Sequence, residues 1–395
     1  MERTIRLYDE DSHGIEFEAK VLEVVRNDKG VFLVLNQTLF FPEGGGQRSD
    51  IGFIGQEEVV DVQEKDGIVY HKMKSDTAFV KGEAVTGTID WEYRFFNMQQ
   101  HSGEHIVSGL ICGRFGYDNV GFHVGSEAVT MDFNGMVTEE ELRQIEWEAN
   151  MAVAKNIEIL AEYLDKEQLA AMTYRSKKEI EGDVRIVTIP GYDCCACCAP
   201  HVERTGEIGM IKLLSVNKYK SGVRIFMLCG MRALEYSLQL EKQVNEISVL
   251  LSAKQNQVAD AVKRLKEENS SLKGVIMNQV QKLILCKVNE IPEGTKDVCF
   301  LQKGLDGNGV RQLANASLEK VSGVSAVFSE NAEGMWQYVV TSKEEDCLKI
   351  GKALNAALDG RGGGSAAMVQ GSLKGDMEVI KSCMGELGSQ FLFIE

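Results

Sequence analysis

Two short donor pairs, distant in sequence, constrain this 395-residue chain more than any other feature. The chain has six histidines, and three of them stand in His101-Ser102-Gly103-Glu104-His105 and Cys197-Cys198-Ala199-Pro200-His201. The stretch Arg94 to Phe115 reads as an amphipathic helix, so His101 and His105 leave one face about a turn apart. Cys197 and His201 repeat that spacing in a turn-like stretch after a strand predicted over Val184 to Pro190. Two pairs of nitrogen and sulfur donors on separate elements suit tetrahedral zinc, one ion per chain. Four cysteines (Cys194, Cys195, Cys197, Cys198) offer a competing all-cysteine site, but neighbouring side chains rarely aim at one point. The preferred ligand set is therefore His101, His105, His201 and one cysteine, Cys197, with Cys195 and Cys198 as alternatives. A helical histidine pair as surface decoration and cysteines as small buried hydrophobes are the blander reading.

Charge and composition limit what surrounds this centre. No apolar run approaches the ~20 residues needed to span a bilayer, and the first residues are not followed by a secretory apolar stretch. Ten cysteines without such a signal fit a reducing compartment, so a cytoplasmic, non-membrane protein is expected. The net charge of −16 speaks against a broad nucleic-acid surface. Its distribution is uneven, however. Residues 1–210 carry 20 Lys+Arg against 38 Asp+Glu, whereas residues 211–285 carry 12 against 6. A polyanion would meet this chain at a local, salt-sensitive patch, with Lys218, Lys220, Arg224, Lys263 and Arg264 as its cations.

The pattern predicts an α+β multidomain chain in four parts. Residues 1–91 alternate in short strands (Glu16 to Val25, Val31 to Leu35, Glu58 to Val60, Ile68 to His71, Ala84 to Ile89), as in a small β-barrel. Within them Gly44, Gly45 and Gly46 before Gln47 permit a shaped turn whose backbone a ligand can approach. Residues 92–232 read as an α/β unit holding the donors, with a strand over Ala128 to Phe133 and a capping box at Thr138 to Glu141. Residues 233–288 read as a helical, partly coiled-coil arm, because Val244, Leu251, Val258, Leu265 and Leu272 recur every seven residues. Residues 289–395 read as a Gly-rich α/β domain ending in a helix from about Asp376 to Gly388. Its run 360–371 is expected to cap, turn or present backbone, and it matches neither a P-loop nor a dinucleotide fingerprint.

In this order (glycine loop Pro42 to Gln47, His-x-x-x-His, strand, Cys-x-x-x-His, Thr205-Gly206-Glu207-Ile208-Gly209, helical arm, Gly-rich terminus) the chain resembles the editing half of alanyl-tRNA synthetases. It looks most like the free-standing alanyl-tRNA editing proteins of the long AlaX type. The resemblance covers nearly the whole chain, with one departure: the family's Cys-Gly-Gly-Thr-His is here Cys197-Cys198-Ala199-Pro200-His201. It implies hydrolysis of serine, and of glycine, wrongly attached to tRNA(Ala). In that reading Gly45, Gly46 and Gln47 line the catalytic pocket and Thr130 reads the seryl hydroxyl. Gly362, Gly363, Gly364 and Gln370 join the cations in holding tRNA. The arm or the C-terminal domain could also form a homodimer.

No class-II ATP-binding motif is visible before residue 92, so aminoacylation is not expected. Two other classes compete. His101-x-x-Glu104-His105 matches the inverted zinc-protease pattern, with Glu104 as general base. A non-catalytic, zinc-stabilised tRNA-binding protein is the third. In the editing reading Glu104 is a helix-surface or supporting residue.

Overall fold

The computed structural model describes residues 2–176, 184–331, 333–387 and 390–395. They fall into two compact units, Met1–Glu246 and Ile247–Glu395.

Strand alternation closes the first ninety residues on themselves. In Glu16–Asn27, Phe17, Ala19 and Val21 are buried while Glu16, Glu18 and Lys20 face water. This strand pairs with Gly30–Leu35 on one side and Ala84–Ile89 on the other. Ile68–Met73, Glu57–Lys65 and Gly52–Ile54 complete the ring. Leu33, Leu35, Val62 and Val69 fill it. The strand Gly52–Ile54 is missing from the sequence reading because it is only three residues long. His71 lies inside this region, its Nδ1 on the Leu33 carbonyl (3.0 Å) and its Nε2 on Thr38 Oγ1 (2.8 Å). Burial holds its pKa down at about 4.

A 25-residue helix, Trp91–Phe115, follows directly, capped by the Asp90 side chain on Tyr93 N–H and ended by Gly116 in the left-handed region. At its first turns Arg94, fully buried, meets Asp50 of the barrel segment. Asp50 also accepts from Phe41 N–H, and Arg94 donates to the Leu39 and Ser12 carbonyls. The rest of this unit is a four-stranded antiparallel sheet (order Ile211–Tyr219, Gly222–Cys229, Val129–Phe133, Asn119–Val124) and a three-stranded one (Leu160–Leu164, Val184–Ile189, Asp193–Ala196). Thr138 and Glu141 form the expected capping box of the helix Glu139–Lys155.

Two expectations beyond residue 230 are corrected. The arm is not one continuous helix: helix Met231–Leu250 ends, Ser252 takes φ 47°, and a new helix runs Val258–Asn289. The heptad that includes Leu251 and Val258 crosses this break, and Leu265 and Leu272 are exposed. The glycine run, expected to cap, turn or present backbone, contributes strands as well. Arg361–Gly364 and Met368–Leu373 form an antiparallel pair at the edge of a six-stranded sheet. Gly362 and Gly371 are needed there, since a Cβ at Gly362 would lie 2.4 Å from Tyr338 Oη and one at Gly371 2.4 Å from the Arg361 carbonyl. The final helix is Met377–Glu386; Gly388, to which it was expected to extend, lies outside the described residues.

Candidate metal centre

Two glycines bring the distant donor stretches together. A Cβ at Gly103 would stand 2.4 Å from Cys229 Sγ, and one at Gly109 2.2 Å from the Tyr192 carbonyl. Without side chains at these positions the helix Trp91–Phe115 lies directly against the end of the strand Gly222–Cys229 and against Tyr192, which leads into the strand Asp193–Ala196. The helical spacing then turns His101 and His105 toward the Cys197–His201 turn.

The nitrogen and sulfur donors of His101, His105, Cys197 and His201 all lie within 4.8 Å of one another. Cys197 Sγ is 3.6 Å from His101 Nε2 and 3.4 Å from His201 Nε2. A tetrahedral zinc ion with ordinary bond lengths separates its N and S ligands by about 3.6 Å, so the donor set fits that ion. Cys195 belongs to a different group, with His105 and Asp193. Cys198 is exposed and lies toward the glycine loop, where a Cβ on Gly45 would sit 3.7 Å from its sulfur. The geometry thus selects Cys197 among the three cysteines.

Each imidazole is held by its other nitrogen. His101 Nδ1 donates to Gln47 Oε1 (2.9 Å) and His105 Nδ1 to Asp193 Oδ2 (2.8 Å). His201 Nδ1 sits 3.0 Å from Ser102 Oγ, which also accepts from Val202 N–H. The acceptor-only oxygens of Gln47 and Asp193 fix the tautomers of His101 and His105 and leave Nε2 as a lone pair facing inward, the arrangement around metal-bound histidines. Asp193 is anchored by Arg175 at 2.7 Å and 2.8 Å. Burial alone would raise the Asp193 carboxyl, but the hydrogen bonds and charges of His105 and Arg175 outweigh it and hold it low. Burial, followed by the neighbouring His105 and His101, drives His201 well below its usual value, so it stays neutral. Burial raises the Cys197 thiol; a coordinated cation is the interaction that would favour its thiolate.

The centre opens on a cavity of about 510 Å³, lined by Gly45, Gly46, Phe122, Arg185 and the cysteine turn among others. Gly44 and Gln47 exchange two backbone hydrogen bonds (3.1 and 2.9 Å), and Gly45 and Gly46 have φ 60° and 86°. That is a type I′ turn, open at both central positions only to residues that tolerate positive φ. A Cβ at Gly46 would also strike the Phe122 ring at 2.5 Å.

Other expected residues fall elsewhere. Gln47 is a support for His101 rather than a cavity wall. Thr130 does not line the cavity: it pairs with His123 and Phe226 across the sheet. Arg224 is committed to Asp132 at 2.6 and 2.8 Å and lies over the Tyr219 ring. Lys218, Lys220, Lys263, Arg264, Gly362, Gly363, Gly364 and Gln370 are exposed. Glu104 is not on a helix surface. It is 1 % exposed, lines the cavity, and accepts from Ser108 Oγ and Asn119 Nδ2 through Oε1. Asp193, Arg175 and Ser102 were missed altogether; closeness to the donor motifs could have signalled Asp193 and Ser102, but Arg175, 18 residues before Asp193, carries no such signal.

Residues 8–93 match the family described as tRNA synthetases class II (A), and residues 184–225 the threonyl and alanyl tRNA synthetase second additional domain. An alanine–tRNA ligase of Methanococcus maripaludis (strain C7) is 31% identical over 93% of this chain and 41% of its own length. The alanyl-tRNA editing protein AlaX-L of Pyrococcus horikoshii is 33% identical over 58% of this chain and 59% of its own. The chain therefore spans about two fifths of the ligases it matches.

Proposed function

From a chain that resembles alanyl-tRNA editing proteins and the alanine–tRNA ligases, we propose a zinc-dependent hydrolase that removes serine, and glycine, from tRNA(Ala). The observation that carries this reading is the convergence of three imidazole Nε2 atoms and one thiol on the wall of a cavity beside a glycine turn. Zinc held by these four donors would polarise the ester carbonyl, and would activate a water only where one donor yields its place. The chain's own residues do the rest. Gln47, Asp193 and Ser102 hold the imidazoles in the tautomer the site needs. The N–H groups of Gly45 and Gly46 are not used in closing their turn, so they offer donors to an oxyanion forming at the ester carbon. Arg185 donates to the Cys197 and Ala199 carbonyls and stiffens the turn. The protease reading loses ground, because a cysteine and a third histidine complete the pair where that pattern calls for a carboxylate.

Lys218, Lys220, Lys263 and Arg264 supply salt-sensitive tRNA contacts in this proposal, and the exposed glycine edge of the second unit adds to them. The site itself lies wholly within residues 1–246. Deacylation of Ser-, Gly- and Ala-tRNA(Ala), without ATP and with or without a chelator, tests the reading. Serine and glycine should be released, alanine spared, and the chelator should stop the reaction. Inert Ser-tRNA(Ala), or casein cleavage instead, would overturn it.

A further inference from the structure

At about 510 Å³ the cavity is larger than a seryl or glycyl group needs, and pockets of about 300–1,000 Å³ enclose whole drug-sized ligands. Room is left for what carries the acyl group. The same cavity wall bears an aromatic ring, Tyr163, which is 49 % exposed. Tyr163 stands on Leu160–Leu164, the edge strand of the three-stranded sheet, opposite Arg185 on the neighbouring strand. Directly opposed residues of an antiparallel pair share one face of the sheet, with Cβ atoms about 5 Å apart. Arg185 in turn donates to the Cys197 and Ala199 carbonyls. One arginine side chain thus separates the ring from the turn that holds a sulfur donor.

The orientation of the ring is fixed at its edge. Tyr163 Oη donates to Asp9 Oδ2 at 2.8 Å, and Asp9 Oδ1 stands 3.9 Å from Arg185 Nε. Arg6, itself paired with Glu64 at 2.6 Å, lies at the same edge. Among the described residues no other ring and no cation covers the face of Tyr163. An open, oriented aromatic face on a cavity wall suits a flat partner, and stacking on an aromatic side chain is available to every nucleic-acid base.

An aminoacyl ester hangs from the ribose of the last nucleotide. With the acyl carbon at the donors, the ribose leads away from them and its base lies about one side chain's length beyond. We propose that Tyr163 stacks on the base of that terminal nucleoside, a substrate-binding contact through which the site reads the nucleoside as well as the acyl group. The inference rests on the deacylase reading above and adds the part of the substrate beyond the ester. A stacked base holds the ester over the donor cluster, and esters of simple alcohols lack that hold.

The probes are two non-hydrolysable serine amides, one on 3′-amino-3′-deoxyadenosine and the other on the same amino sugar with a methoxy group in place of adenine. Calorimetry on the zinc-loaded full chain should show the adenosine compound binding about 5- to 150-fold more tightly, the range for one stacked base. Tyr163→Phe keeps the ring and should keep most of that preference. Tyr163→Leu keeps apolar bulk without a ring and should lose most of it, with zinc content at the wild-type level. A preference absent from the wild type, retained in Tyr163→Leu, or lost as fully in Tyr163→Phe would overturn the proposal. If Tyr163→Leu does not fold, Tyr163→Trp carries the test. Its added fluorescence, with the wild-type signal subtracted, should be quenched by the adenosine compound and not by the baseless one; equal signals would overturn the proposal. Parallel hydrolysis of Ser-tRNA(Ala) separates the two levels: an active wild type that ignores the base removes the role of Tyr163 alone. A wild type inert on Ser-tRNA(Ala) removes the deacylase reading, and this proposal with it.

Discussion

His71 in the barrel and His105 in the donor cluster are equally enclosed, at 0 % and 2 % exposure, yet they do different things. His71 gives one ring nitrogen to the Leu33 carbonyl and the other to Thr38 Oγ1, so its hydrogen-bonding capacity is used up inside the fold. His105 gives Nδ1 to Asp193 and turns Nε2 toward three other donors. Burial alone, then, does not mark a functional histidine. The direction of the second nitrogen does, because an inward lone pair stays unsatisfied until something with an empty orbital or a proton arrives.

Removing the cluster should have the largest effect. The double variant His101→Ala/His105→Ala should fall from about one zinc per chain to almost none by elemental analysis, while His71→Gln keeps its zinc. Equal metal content in all three proteins would erase the distinction. The support behind His105 comes next. Asp193→Asn weakens the acceptor at Nδ1 and leaves Arg175 without its anion, so zinc affinity in a chelator competition should drop by about 10- to 100-fold. A drop below twofold would mean that His105 is positioned by packing alone.

The barrel histidine gives the smallest effect, and its sign follows from proton binding. An unfolded imidazole takes up its proton near pH 6.5, whereas burial delays uptake in the folded chain to about 4. Between those values the unfolded state holds more protons, so the contribution of His71 is full above 6.5 and is lost as pH falls toward 4. The difference in unfolding free energy between wild type and His71→Gln should change by at most ~1.4 kcal/mol per pH unit in that window. A flat difference curve would show that His71 is not enclosed as described.

The same contrast explains what the sequence could reveal. The four candidate donors could be picked out because helix period and i, i+4 spacing are local rules, and so could the glycine turn. Choosing Cys197 over Cys195 and Cys198 was weaker, since it depended on which cysteine the strand Asp193–Ala196 leaves pointing at the helix. Thr130 was misplaced by judging a strand position without its cross-strand register. Glu104 was left between a surface and a supporting place, and only Ser108 and Asn119 show why it is inside. In the second unit the heptad concealed a break, which Ser252 makes by a positive φ that no repeat pattern reports. The glycines of 360–371 suggested a cap, a turn or presented backbone, and at the sheet edge they also let the strands approach Tyr338.

The buried Arg94–Asp50 pair carries a consequence for how the first unit comes apart. Both side chains are fully enclosed and each is also bound to backbone of the barrel region. Separating the barrel from the long helix would strand two charges in a dry interior, and breaking such a pair costs about 3–5 kcal/mol. Partial opening at this junction is therefore steeply uphill. The amides of Phe41 and Arg94 should exchange with solvent only in the same cooperative event, as members of one foldon that includes the helix Trp91–Phe115.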